Sequence, residues 1–399
     1  MKNINFIFLR SPVTASEKFQ DSERKKFLEK LNEKGDFLFT EKGEKIFFIE
    51  TGGTEEKFRQ IYKDFKEPFL IVATNANNSL PAALEISTFL KNNGKKFKLI
   101  HGTPEEIRKQ LKTEKIKVLT EKSLSFTGNL VLKGKRFGVV GKPSDWLIAS
   151  EVDYKNVEKK LGAKLVDINI KKLIDFVNKN KSKIDTKKFD KYLNEKIDKK
   201  TLEKALKIYA GLKHLIDVEK LDGITVRCFD LLGTLKNTSC LALAMLNEEG
   251  YIATCEGDIP AMLTMAIVRK MFDQSSFQIN PSYVNVEKQY AFFAHCTLPL
   301  DMCKAFGFDT HFESGIGIGI KGELDLSKIT VFKINKDLTQ CEIFVGKIAE
   351  NLKKANLCRT QIKVEFSEDI SSLLSSPNGN HLIVFYGDHK KELLSKLSN

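Results

Sequence analysis

Glu256-Gly257-Asp258 sets two carboxylates two positions apart. An apolar run, Ile252-Ala253-Thr254-Cys255, leads into them, and Pro260 opens an apolar segment behind them. The pattern predicts a strand, a tight turn and a helix. In open α/β sheets ligands bind in the crevice at the carboxyl ends of the strands. Carboxylates held there suit a hard divalent cation or proton transfer. A plainer use is available, since Asp before Pro is also a common helix cap, and caps outnumber sites. Arg227 and Asp230 fall near the end of the preceding predicted strand, Asp222 to Phe229. If the two strands are neighbours, Arg227, Asp230, Glu256 and Asp258 share one crevice. Three histidines lie in polar stretches further on: His295, His311 and His381. A histidine on a turn, as His381 is after Gly379-Asn380, is ordinarily a surface residue, yet imidazole is also a common metal ligand.

These residues need a scaffold, and the spacing of apolar segments supplies one. Up to about residue 130, strand candidates (Ile4 to Leu9, Lys45 to Glu50, Pro68 to Ala73, Lys96 to Ile100) alternate with helical stretches (Ser16 to Asn32, Glu56 to Phe65, Leu80 to Asn92). This rhythm predicts a parallel, Rossmann-like sheet. Two of its loops are chemically suggestive. Thr51-Gly52-Gly53-Thr54-Glu55 offers free backbone N–H groups ahead of a helix. Asn75 to Ser79 gathers three amides and a hydroxyl. Ordinary turn chemistry, with Ser79 as a cap, is the slightly favoured reading of each loop taken alone. Neither is a Walker loop or a G-x-G-x-x-G fingerprint.

A second α/β section starts near Gly134. It has strands at Arg136 to Gly141, Gly162 to Ile168, Asp222 to Phe229 and Ile252 to Cys255, and helices at Leu202 to Val218 and Ser239 to Glu249. The last section reads as mainly antiparallel β, with strands at Tyr283 to His295, Ile329 to Asn335, Cys341 to Ile348 and Thr360 to Phe366. The Gly-Ile alternation from Gly315 to Ile320 is followed by no helical pattern, so it predicts a tight β-bend. The expected domains are residues 1–132, 133–280 and 281–399.

Composition narrows the function classes. The chain has 399 residues, a net charge of +13 and 42% hydrophobic residues. The excess Lys is densest from Asn178 to Lys207, where it alternates with acidic residues and reads as a solvated helical surface. That is not the Arg-rich, aromatic-interleaved footprint of a nucleic-acid binder. Seven cysteines form no C-x-x-C pair, which predicts buried thiols in a reducing compartment. The first ten residues read as a strand rather than a signal peptide, and no stretch approaches a membrane span. A cytoplasmic protein with no nucleic-acid or membrane partner is expected.

Several segments together resemble the L-fucose/L-arabinose isomerase superfamily, in its shorter, fucose-isomerase-like members. They are Cys255-Glu256-Gly257-Asp258-Ile259-Pro260-Ala261, Ala294-His295-Cys296-Thr297, and Gly379-Asn380-His381 with Tyr386-Gly387-Asp388. Thr51 to Glu55, Asn78 to Glu85 and Gly141 to Trp146 are further marks, and the order is kept along the chain. The resemblance implies two α/β domains followed by a β-rich domain. It implies interconversion of an aldose and a ketose through an ene-diol, with a divalent metal, typically manganese. Its ligands would be Asp258, His381 and a second carboxylate, either Asp230 or Glu256, and these three carboxylates would carry the proton transfers. His295, His311 and Arg227 would bind sugar hydroxyls, although Arg227 can equally pair with Asp230. A homotrimer or hexamer is implied, with the Gly52-Gly53 and Asn78-Ser79 loops covering a neighbour's site. The alternatives are a carbohydrate-binding or regulatory relative, or a lyase or transferase acting on a sugar phosphate.

Overall fold

The computed structural model describes residues 1–11, 17–113 and 124–397. Three sheets follow one another along the chain. The first is wholly parallel, with spatial order Phe37–Phe39, Lys2–Leu9, Glu44–Ile49, Phe69–Thr74, Phe97–Gly102. Its central strands are apolar on both faces, as a sheet covered on both sides requires. The helix expected from Ser16 runs Glu17–Leu31, and Ser16 itself lies outside the described residues. The second sheet is also parallel: Ile252–Cys255, Gly223–Val226, Arg136–Val140, Lys164–Ile168. The strand carrying Glu256 at its end is therefore the direct neighbour of the one leading to Arg227.

The third sheet is antiparallel and closes on itself. Its order is Lys328–Ile334, Leu382–Tyr386, Phe277–Asn285, Tyr290–His295, Thr360–Phe366, Gln340–Asn351, and the last strand pairs back to the first. The short strand Leu124–Ser125 hangs on Gln340–Asn351. The fold is thus two parallel α/β sheets followed by a β-rich barrel. The single strand expected from Tyr283 to His295 is a hairpin, turning at residues 286–289. Charged Glu287 and Lys288 lie exposed at this turn.

Two helices tie the layers together. Ser79–Asn92 is buried along nearly its whole length, between the first sheet and the barrel. Ile259–Phe272 is buried from Ile259 to Val268, between the second sheet and the barrel. A helix that is apolar all round is one covered on all sides. Each large apolar side chain so buried contributes about 1.5–3 kcal/mol. Both helices begin beside the same cavity. No helix among the described residues is long and apolar enough to cross a membrane.

Candidate active site

The turn after Ile252–Cys255 is bent in an unusual way. Glu256 and Gly257 both take left-handed backbone conformations, at φ +65° and +71°. A Cβ on residue 257 would lie 2.4 Å from the Lys142 carbonyl oxygen and 2.7 Å from Pro143 Cα, so the close approach demands glycine. The turn is pinned on both sides: Gly257 N–H donates to Val226 O, and Ser144 N–H donates to Glu256 O, both at 3.0 Å. Trp146, on the loop that packs here, donates its indole N–H to Glu256 Oε2 at 2.6 Å. The other oxygen, Oε1, lies 3.4 Å from His381 Nε2 and 4.0 Å from His295 Nε2.

One donor atom from each of Glu256, His295 and His381 lies within 4.8 Å of the others, a grouping able to hold a metal ion. Each imidazole is oriented through its second nitrogen. His381 Nδ1 bonds Asp258 Oδ2 at 2.9 Å, and His295 Nδ1 bonds Thr297 Oγ1 at 2.8 Å. His381 Nε2 is fully buried with no hydrogen-bond partner. A buried orphan nitrogen facing a carboxylate oxygen and a second imidazole is the donor set a mid-row divalent metal takes.

Asp258 stands behind this group. Its Oδ1 accepts from Ala261 N–H at 2.7 Å and caps the helix Ile259–Phe272. Its Oδ2 serves His381 and lies 3.5 Å from the Nζ of fully buried Lys333. Burial would raise the Asp258 pKa, but Lys333 and His381 outweigh it and hold it at about 2. Burial would likewise lower His381, but Glu256 and Asp258 lift it to about 9. His295, which burial dominates, falls to about 3. Glu256 stays below its usual range because His381, His295 and the Trp146 indole outweigh its burial.

Glu256 brings this group to a cavity of about 220 Å³, with His295 and His381 buried behind its wall. Glu256, Trp146 and Phe229 line it from the second section, and Asn280, Glu313 and Asn380 from the third. Ser11, Gly52, Gly53, Glu55 and Asn78 line it from the first. Glu313, half-buried, accepts from Asn78 Nδ2 at 2.8 Å. Its oxygen also fills the space a side chain on Gly52 would need. The enclosing wall and the charge of Glu256 push its carboxyl up to about 7, against the Asn78 bond. Glu55 is 2% exposed, and its Oε2 has no hydrogen-bond partner. Burial above all pushes its carboxyl well above the usual range.

The residues singled out in the sequence divide. Glu256, His295, His381 and Asn78 face this site, and Asp258 supports it. Asp230 does not join. The strand stops at Val226, and Asp230 opens a short helix, Asp230–Leu235, where it pairs with Arg227 at 3.1 Å. Arg227 is spent on that pair and on Asp145 at 2.5 Å. Ser79 lies under the site, its hydroxyl accepting from Thr74 N–H and donating to Ile49 O. His311 sits edge-on to Phe229, its Nδ1 3.0 Å from Ser314 Oγ. Gly52, Gly53 and Asn78 line the cavity of their own chain. Glu55, Glu313 and Lys333 went unremarked in the sequence as site residues. The only signals were the placement of Glu55 at the end of Thr51-Gly52-Gly53-Thr54 and of Glu313 beside His311.

Comparison with known proteins supports a sugar aldose–ketose isomerase. Residues 147–274 match the L-arabinose isomerase central domain family. The sulfoquinovose isomerases of Priestia aryabhattai and Priestia megaterium (strain ATCC 12872 / QMB1551) are each 22% identical to this chain over 389 residues, covering 90% of it and 85% of the relative. The sulfoquinovose isomerase of Alkalicoccus urumqiensis is 22% identical over 229 residues, covering 55% of this chain and 49% of its own. These matches make the chain similar to the L-arabinose/L-fucose isomerase-like superfamily, through its central section and, at lower identity, along most of its length.

Proposed function

We propose that this chain interconverts an aldose and a ketose through an ene-diol, with a divalent metal, Mn²⁺, held by Glu256, His295 and His381. The observation that carries the reading is the convergence of Glu256 Oε1 and His295 Nε2 on the buried His381 Nε2, just behind the cavity that Glu256 lines. The metal would supply charge stabilisation for the sugar oxygens on which negative charge develops. The chain's own residues do the rest. Trp146 fixes one oxygen of Glu256, and Asp258 fixes the ring of His381 so that Nε2 points outward. The carboxylates of Glu55, Glu256 and Glu313 give the wall good partners for sugar hydroxyls. The end of the sugar that reaches this wall is its hydroxyl-bearing end, so a sulfonate, as in the relatives' named substrate, would point away from it.

The test is carbon-bound deuterium. Protein stripped with a chelator and reloaded with Mn²⁺ is incubated in deuterated water with a panel of unsubstituted and C6-sulfonated aldoses and ketoses. Deuterium at C1 or C2 of at least one sugar is expected, with loss of exchange and of Mn²⁺ binding in Glu256→Gln. A wild-type protein that exchanges nothing across the panel would overturn the reading.

A further inference from the structure

Isomerisation needs a group that takes a proton from carbon and a group that relays a hydroxyl proton. If Glu256 serves a metal, both its oxygens are committed, one to that ion and one to Trp146. Two other carboxyl groups among the described residues line the cavity, Glu55 and Glu313. They come from different parts of the chain and meet different partners. Glu313 Oε1 accepts from the Asn78 amide at 2.8 Å, a bond that favours the ionised form. Glu55 sits at the first turn of Glu55–Ile61, and its deeply buried Oε2 meets no donor. A buried oxygen in that position favours the neutral acid. Environments that separate two carboxyl groups in this way mark an acid and a base.

Taking isomerase chemistry at this cavity as the premise, we propose that Glu313 is the carbon base and Glu55 the hydroxyl acid of the reaction. The Glu313 carboxylate takes the proton from C2 of the open-chain aldose. The C2–H electron pair becomes the C1–C2 double bond, and the carbonyl oxygen O1 takes the proton of Glu55, giving the ene-diol. In the second half the O2 hydroxyl returns a proton to Glu55 as the C2 carbonyl forms. The double-bond pair then takes the proton from Glu313 at C1. The product is the ketose, and both carboxyl groups regain their starting states. The near-neutral Glu313 carboxyl suits a base that must also release its proton.

The experiment uses the Mn²⁺-loaded full chain and the sugar that exchanges best with wild type. Glu313→Gln is expected to lower deuterium exchange by about 10²–10⁴-fold, with Mn²⁺ affinity by paramagnetic resonance titration unchanged. Glu55→Gln is expected to do the same. Added formate is expected to restore part of the exchange in Glu313→Ala, because a small carboxylate can occupy the vacated space. Exchange at the wild-type rate in Glu313→Gln overturns the assignment while leaving the isomerase reading intact. Loss of Mn²⁺ affinity together with exchange, with no rescue by formate, also overturns it by making Glu313 structural. A wild type that exchanges no sugar removes the premise and the assignment together.

Discussion

Asp258 uses its two oxygens for two purposes, a helix cap and the orientation of an imidazole. An asparagine can keep the first and spoil the second. Its carbonyl oxygen still accepts from Ala261 N–H, while its amide points N–H groups at His381 Nδ1. The ring then carries its proton on Nε2, the nitrogen needed by a metal. Asp258→Asn is therefore expected to weaken Mn²⁺ binding by about 10–100-fold, the usual cost of losing a ligand's orienting partner. Calorimetric titration measures this, and unchanged affinity would show that Asp258 does not set the tautomer. Lys333 belongs to the same buried chain, 3.5 Å from Asp258. Removing one partner of a buried ion pair costs about 3–5 kcal/mol, so Lys333→Met is expected to lower the urea midpoint by a corresponding amount. A midpoint equal to wild type would mean that Asp258 is balanced by His381 alone.

At the scale of elements, the site depends on a turn that only glycine completes. Gly257→Ala adds a methyl group 2.4 Å from the Lys142 carbonyl, at a positive φ that costs about 1–2 kcal/mol by itself. The Lys142–Pro143 loop must retreat, taking Trp146 from Glu256. Because Trp146 is the chain's only tryptophan, a red-shifted emission accompanying loss of stability is the expected result. An unshifted spectrum would mean the loop does not move. This turn was legible in the sequence because its signals are local: an apolar strand, Glu-Gly-Asp, then Pro260. So were the parallel sheets, from the alternation of strands and helices. For Asp230 the sequence left two readings open, ligand or partner of Arg227, and what decides between them is that the strand ends at Val226 and Asp230 opens a short helix beside Arg227. The hairpin within residues 277–295 was hidden because Val286-Glu287-Lys288-Gln289 has no Gly or Pro, and its one turn signal is Asn285 at the strand end, whose Oδ1 accepts from Lys288 N–H. Glu55 and Glu313 look like surface carboxylates in sequence, and only the packing of one section against another encloses them.

For the whole molecule, the three sections meet at another enclosed carboxyl group, Glu85. It sits on the buried helix Ser79–Asn92 and is itself fully buried. Its Oε1 accepts from Ala149 N–H at 2.7 Å and Ser150 Oγ at 3.1 Å, both on the second section. Its Oε2 lies against Gly379 of the third section, close to Lys333 and one residue from the Asn380-His381 pair. Burial pushes the Glu85 carboxyl up to about 7, the Asp258 charge adds to this, and the Ala149 bond and Lys333 oppose it. An unfolded glutamate titrates near about 4.3, so between that pH and 7 the folded chain holds a proton that the unfolded chain has released. Stability from this group is complete at low pH and is lost as pH rises through 7. The buried histidines with lowered pKa, His101, His295 and His311, act in the opposite sense, losing stability as pH falls below 6.5. The contribution of Glu85 is therefore read as a difference. Glu85→Gln keeps the shape and stays neutral, so its melting temperature minus that of wild type should grow more positive from pH 5 to pH 8. A difference that stays flat across that range would mean Glu85 is ionised throughout, its charge balanced by Lys333 at the junction of the three sections.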